Sequence, residues 1–143
     1  MQSLKEFMRE YLNSRIAQER KELANREPFR KKFYSAECMF DSRAGTVEMI
    51  ESETLEALSE LGEEGEAITS LRNPLVDADF RTKQRYLLKR TGDTWLIRNV
   101  DLPCQLCNGE KGRSDCWWCK GEGWLSTDRL NRLSREAQNN KEP

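Results

Sequence analysis

Cys104, Cys107, Cys116 and Cys119 make two Cys-x-x-Cys pairs within a segment of about twenty residues, and no other feature of the chain restricts its folding so tightly. A Cys-x-x-Cys turn lets two sulfurs converge on one metal while backbone amides donate to them and spread their charge. Gly109, Gly112, Gly121 and Gly123 follow the pairs, where the chain must bend away beside the ligands. Four thiolates without imidazole favour tetrahedral Zn2+ at ~2.3 Å, with iron as the lesser alternative. A complete ligand set leaves no open coordination position, so the expected site is structural. Direct thiol exchange is the rival reading, and it requires one exposed thiol of low pKa. The fifth cysteine, Cys38, reads as a small buried hydrophobe.

Histidine is absent from all 143 residues, which removes the commonest general base near neutral pH and every mixed Cys/His metal site. Catalysis would have to rest on carboxylate, tyrosine, lysine or thiol. The length suits one ordinary domain. A net charge of -1 supplies no field to attract nucleic acid or an anionic membrane, and Lys111, Arg113 and Lys120 are too sparse for a phosphate track. No apolar run approaches the ~18 residues of a membrane span, and the charged, amphipathic N-terminus is unlike a secretion signal, so the expected compartment is the cytoplasm.

Leu4, Phe7, Met8, Tyr11, Leu12 and Ile16 recur at helical spacing, with Lys5, Glu6, Arg9, Glu10 and Arg15 among them, and predict an amphipathic helix over about 2–24. Asn25 as N-cap and Pro28 in the first turn predict a second helix carrying Phe29 and Phe33. Thr46 to Ile50 reads as a short strand. Thr54 to Leu61 fits either a helix or a strand, and the following Gly62-Glu63-Glu64-Gly65 turn favours a strand with Leu55, Ala57, Ser59 and Leu61 on one face. Ala67 to Leu71 returns as its partner. Phe80, Thr82, Gln84, Tyr86 and Leu88 alternate with charged residues over a long half-exposed strand, Thr91 to Thr94 turns, and Trp95, Leu96, Ile97 and Val100 form a central or covered strand. Eight glutamates and no Lys or Arg lie between Glu48 and Glu66, which cross-strand ion pairs with the later basic strand would explain. The fold class is therefore α+β, with N-terminal helices on a curved antiparallel sheet over 1–102, the cysteine module at 103–125, and a short helix and polar tail at 126–143.

The cysteine segment resembles half of the cysteine-rich region of DnaJ (Hsp40-type) chaperones, which is built from Cys-x-x-Cys-x-Gly-x-Gly repeats. Cys116, Cys119, Gly121 and Gly123 match fully; Cys104, Cys107 and Gly109 match, with Gly112 one residue late. Two repeats in place of that family's four imply one zinc, and the missing His-Pro-Asp signature gives no support for an Hsp70 partner. Residues 1–102 resemble the nuclear transport factor 2-like superfamily, which includes ketosteroid isomerase and scytalone dehydratase, in element order and in the hairpin Tyr86 to Ile97. That resemblance implies a cone-like α+β fold and an open sheet through which a second copy can pair to form a homodimer. No catalytic motif transfers residue by residue, and the fold does not settle function, because the superfamily holds both pocket enzymes and interaction domains.

Three functions follow. The first is a non-catalytic protein-interaction domain stiffened by structural zinc, with Trp117, Trp118 and Trp124 as candidate anchors for a protein partner. The second is a pocket enzyme of lyase or isomerase type using Tyr11, Tyr34, Glu37 or Asp41, in which a buried carboxylate does the work of histidine. The third is a chaperone-like or thiol-redox role for the Cys-x-x-Cys pairs.

Overall fold

A computed structural model describes residues 1–19, 26–38, 47–72, 81–103 and 123–126. The first helix, α1, spans Leu4–Glu19. It starts at Leu4 because the Ser3 hydroxyl accepts from the Glu6 amide at 3.1 Å and donates to the Glu6 carboxylate at 3.1 Å, so the residue before the helix caps its first turn. Leu4, Phe7, Met8 and Tyr11 point into the core as their spacing predicts. Arg15, expected on the wet side, is instead buried, while Ile16 is half-buried. Residues 20–25, including the expected Asn25 cap, lie outside the described set. Helix α2 covers Arg26–Phe33 with Pro28 in its first turn, where the missing amide is not needed. It lays Phe29 and Phe33 on α1, with ring centroids 6.0 Å and 5.6 Å from that of Tyr11.

Most of the stretch Thr46 to Ile50, read above as strand, lies in a short helix, α3, over Val47–Glu51. A strand there would put Val47 and Met49 on one face. The buried residue is instead Ile50, with Val47 40% exposed, and Ser52 closes the turn by donating from its amide to Glu48 O and from its hydroxyl to Met49 O.

Five strands follow: β1 Thr54–Leu61, β2 Glu64–Arg72, β3 Arg81–Thr91, β4 Thr94–Pro103 and β5 Trp124–Ser126. They pair in sequence order, each antiparallel to the next, in one open sheet. The helices cover one face, where α1 and α2 share a core with Ala67, Tyr86, Leu88, Trp95, Ile97 and Val100. Gly62 and Gly92, each at φ +64°, open the two-residue turns that join β1 to β2 and β3 to β4. Gly65 belongs to β2 rather than to the turn, and an added Cβ there would come within 3.1 Å of both Leu4 and Trp95.

The ambiguity of β1 has a physical origin. The register slips between Leu55 and Ala57, so Leu55 and Leu58, three apart in sequence, both pack on the core while Ala57, Ser59 and Leu61 are exposed. A bulge thus imitates helical spacing and overturns the expected face. The alternation expected of β3 holds, with Gln84, Tyr86 and Leu88 buried. A second register shift, opposite Leu87 and Leu88, moves the buried positions of β4 from Ile97 to Val100. The sheet also takes in Trp124–Ser126, residues assigned from sequence to the cysteine module and the start of the tail. The short C-terminal helix expected beyond them lies outside the described residues. Among the described residues no helix is long and apolar enough to cross a membrane.

Candidate functional site

Where α1, α2 and the sheet meet, the core is polar. Arg15 is positioned by α1, Glu53 by the link between α3 and β1, Thr69 by β2, and Gln84 and Tyr86 by β3. Arg15 Nη1 donates to Glu53 Oε1 at 2.8 Å, and both side chains are almost fully enclosed, at 2% and 1% exposure. The other carboxylate oxygen, Oε2, accepts from the Thr69 hydroxyl at 2.6 Å and from the Tyr86 hydroxyl at 2.5 Å. The Gln84 amide oxygen lies 3.0 Å from the same phenol oxygen. A buried carboxylate is tolerable only with such compensation, and here a cation and two hydroxyls provide it.

Beside this cluster the Tyr11 and Tyr34 hydroxyls share a hydrogen bond of 2.6 Å, and the Tyr11 ring meets that of Tyr86 edge-on at 5.4 Å. Burial pushes the Tyr11 phenol above its ordinary pKa, and it drives Tyr34 and Tyr86 well above theirs. Burial works against the charge on Arg15, but the surrounding oxygens of Tyr11, Tyr86 and Glu53 favour it and hold the guanidinium above its usual range. At neutral pH the cluster therefore carries a cation whose charge is fixed and phenols that keep their protons. Such a set can orient or donate hydrogen bonds, but its phenols are poor bases.

The second candidate region is the sheet edge at which the cysteine segment leaves and returns. Arg85 donates from Nε and Nη2 to Asp101 Oδ2 at 2.8 and 2.6 Å, Asn99 Nδ2 donates to Asp101 Oδ1 at 3.2 Å, and the Arg85 guanidinium lies over the Trp124 ring at 5.2 Å. Three strands are thereby joined through one arginine. Pro103 faces Trp124 and Leu102 faces Leu125, whose side chain is buried. Cys104 therefore follows directly on a residue whose position is fixed against the far end of the module.

Of the residues singled out from sequence, Tyr11 and Tyr34 come together as a hydrogen-bonded pair. Glu37 is exposed on the turn after α2, and Asp41 lies outside the described residues. Cys104, Cys107, Cys116 and Cys119 lie outside them too, as do Trp117, Trp118, Lys111, Arg113 and Lys120. Cys38 is buried, as expected. Arg15, Glu53, Thr69, Gln84 and Tyr86 escaped the sequence reading as a site. One signal was available: Arg15 and Gln18 continue the spacing of Met8 and Tyr11, so a charge sits in line with an apolar stripe and demands a buried counter-charge.

The expected ion pairing between the acidic and basic strands holds only in part. Register places Glu64 opposite Lys89, but the contact Glu64 makes is with Arg98 on β4 at 3.7 Å, while Glu53 pairs with a helix. Comparison with protein-family models, curated proteins and solved structures found no match.

Proposed function

We propose that this chain is a non-catalytic, cytoplasmic protein-interaction domain of the nuclear transport factor 2-like type, stiffened by one structural Zn2+ on Cys104, Cys107, Cys116 and Cys119. The observation that carries the non-catalytic part is the state of the buried carboxylate. Both oxygens of Glu53 are engaged within the protein, by Arg15, Thr69 and Tyr86, and the two phenols expected to serve a pocket, Tyr11 and Tyr34, bond to each other. A general acid or base must reach the proton it moves, and these groups are committed to holding helix against sheet. Zinc suits the donor set, since four thiolates complete a tetrahedral shell. The β4–β5 pairing supports the same reading, because it brings Pro103 and Trp124 face to face and gives the two Cys-x-x-Cys pairs a common base. The sheet positions that alternate with core residues, Glu66, Ile68, Arg85 and Leu87, offer a mixed face on which a protein partner or a second copy can dock.

The test has two parts. Purified protein should contain one zinc per chain with four thiols protected until chelation. Cells carrying Tyr11→Phe/Tyr34→Phe in place of the natural chain should keep their phenotype, since the change removes both hydroxyls and little volume. Loss of phenotype with a folded variant would favour the pocket-enzyme alternative, and reactive thiols without metal would favour the thiol-redox one.

A further inference from the structure

A cavity of about 370 Å³ lies where the end of α2 meets β4, bounded by Arg30 and Lys31 of the helix, by Ser35 and Ala36 just beyond it, and by Leu96 of the strand. One wall is fixed to the sheet, since Tyr34 bridges to Ile97 and the Ser35 amide donates to Ile97 O at 2.9 Å. Arg30 is held in place: its guanidinium lies over the Tyr34 ring at 4.8 Å, and Nη2 donates to Cys38 O at 3.1 Å. A planar fork with a fixed orientation suits a carboxylate. Lys31 follows in sequence and is exposed, whereas Lys32, the next cation, pairs with Glu10. The Ser35 hydroxyl oxygen is buried without a hydrogen-bond partner. Such an atom costs stability until something bonds to it, and native proteins seldom leave one unmet.

We propose that this cavity binds a small organic monocarboxylate, whose carboxylate is held by Arg30, Lys31 and the Ser35 hydroxyl while a short apolar tail rests on Ala36 and Leu96. Each part of the ligand answers a feature of the cavity. The volume is near the lower end of small-molecule sites, which run from about 300 to 1,000 Å³, so it takes a compound of a few carbons. Two cations stand against the one carboxylate of Glu27, which leaves a single positive charge and favours a monoanion over a dianion. Ser35 is half-exposed as a residue, so a change of χ1 rotamer turns its hydroxyl from the buried position to the cavity, where it donates to a carboxylate oxygen. Leu96 is half-buried and supplies the apolar wall. The site shares no residue with the buried Arg15–Glu53 cluster.

The test titrates the isotope-labelled full chain with butyrate, and with butyramide and inorganic phosphate as comparisons, while NMR follows the amide signals of Ser35, Ala36 and Leu96. Saturable shifts at these amides are expected with butyrate, with binding of uncharged butyramide about tenfold weaker or more, and phosphate weaker than butyrate. Ser35→Ala should weaken butyrate binding about three- to tenfold and leave the melting temperature of the unliganded chain unchanged or higher, because it removes an unmet polar atom. Arg30→Lys, which keeps the charge and loses the fork, should weaken it about tenfold, and Lys31→Gln about two- to fivefold. Absence of saturable shifts, or equal affinity for butyrate and butyramide, would overturn the site. Phosphate bound as tightly as butyrate would overturn the carboxylate assignment. Unaltered affinity in both Ser35→Ala and Arg30→Lys, or a lowered melting temperature in unliganded Ser35→Ala, would show that these groups serve the fold instead. None of these readouts depends on zinc content or on the Tyr11→Phe/Tyr34→Phe comparison, so the site stands or falls apart from the interaction reading.

Discussion

Replacing Glu53 with glutamine changes one charge and almost no volume, yet its consequence should be large. The carboxylate neutralises Arg15 and accepts from Thr69 and Tyr86 in a site that water does not reach. A glutamine can turn its oxygen to Arg15 or to the hydroxyls, but not to both, and its amide nitrogen in either place meets a donor or obliges a hydroxyl to rotate. The guanidinium, whose own proton is held tightly, stays charged and loses the carboxylate that lay 2.8 Å away. Removing one partner of a buried ion pair typically costs about 3–5 kcal/mol, against a total stability of about 5–15 kcal/mol for a domain. Glu53→Gln should therefore lower the urea midpoint by about a fifth or more while the slope stays constant. Arg15→Met should cost a similar amount, because it strands the carboxylate. The double change Arg15→Met/Glu53→Leu should cost much less than the two single changes together, since it removes both charges and leaves the Thr69 hydroxyl without its carboxylate while Tyr86 keeps Gln84. Urea unfolding followed by circular dichroism in all four proteins gives the cycle. A single-variant cost below about 1 kcal/mol, or costs that simply add, would refute the view that the cluster holds helix to sheet.

Three further outcomes can be checked separately. The protein has three tyrosines, all buried and all with raised pKa, so each favours the folded state below its ordinary pKa, and that advantage is lost as pH rises through the folded value. Absorbance near 295 nm should show little phenolate near pH 10 and a single cooperative rise together with unfolding at higher pH; three independent titrations near pH 10 would contradict the burial. Gly65→Ala should destabilise by about 1–3 kcal/mol, because its Cβ meets Leu4 and Trp95 at 3.1 Å, whereas a neutral effect on thermal unfolding would mean that the helix yields freely. Cys116→Ser should reduce zinc content and lose structure beyond about residue 103 while the helices and β1 to β4 stay folded, and global unfolding measured by circular dichroism would show that the two parts share one core.

The helices and the β3–β4 hairpin were legible because their periodicity has no competitor: Phe7, Met8 and Tyr11 at helical steps, and Gln84, Tyr86 and Leu88 at every second residue. The short elements were less so. Val47 to Glu51 is too brief for either period to assert itself, and the bulge at Glu56 gives β1 the spacing of a helix. β5 could not be foreseen, since three residues carry no pattern and their pairing depends on where β4 ends. The polar centre was half legible. Tyr11 and Tyr34 were expected as polar groups of a pocket, but the carboxylate in the polar centre is Glu53, not Glu37 or Asp41. Glu53 lies in an acidic run whose other members face solvent or sit half-exposed, and nothing local distinguishes the member that turns inward. Only the long-range approach of Arg15 from α1 selects it.

An open sheet has two edges, and each is a template on which another chain can add, which is how folded proteins begin to aggregate. In this molecule the β4 side is obstructed at two places, by Tyr34 bridging to Ile97 and by β5 at Asp101 to Pro103. The β1 side has no strand over it among the described residues, and it is kinked by the bulge at Glu56 and carries Glu56 and Glu60 in a stretch without any cation. Two copies approaching edge to edge would set glutamate against glutamate across a bent backbone. The acidic run thus opposes edge-to-edge pairing, and exchanging Glu56 and Glu60 for valine is expected to remove that opposition.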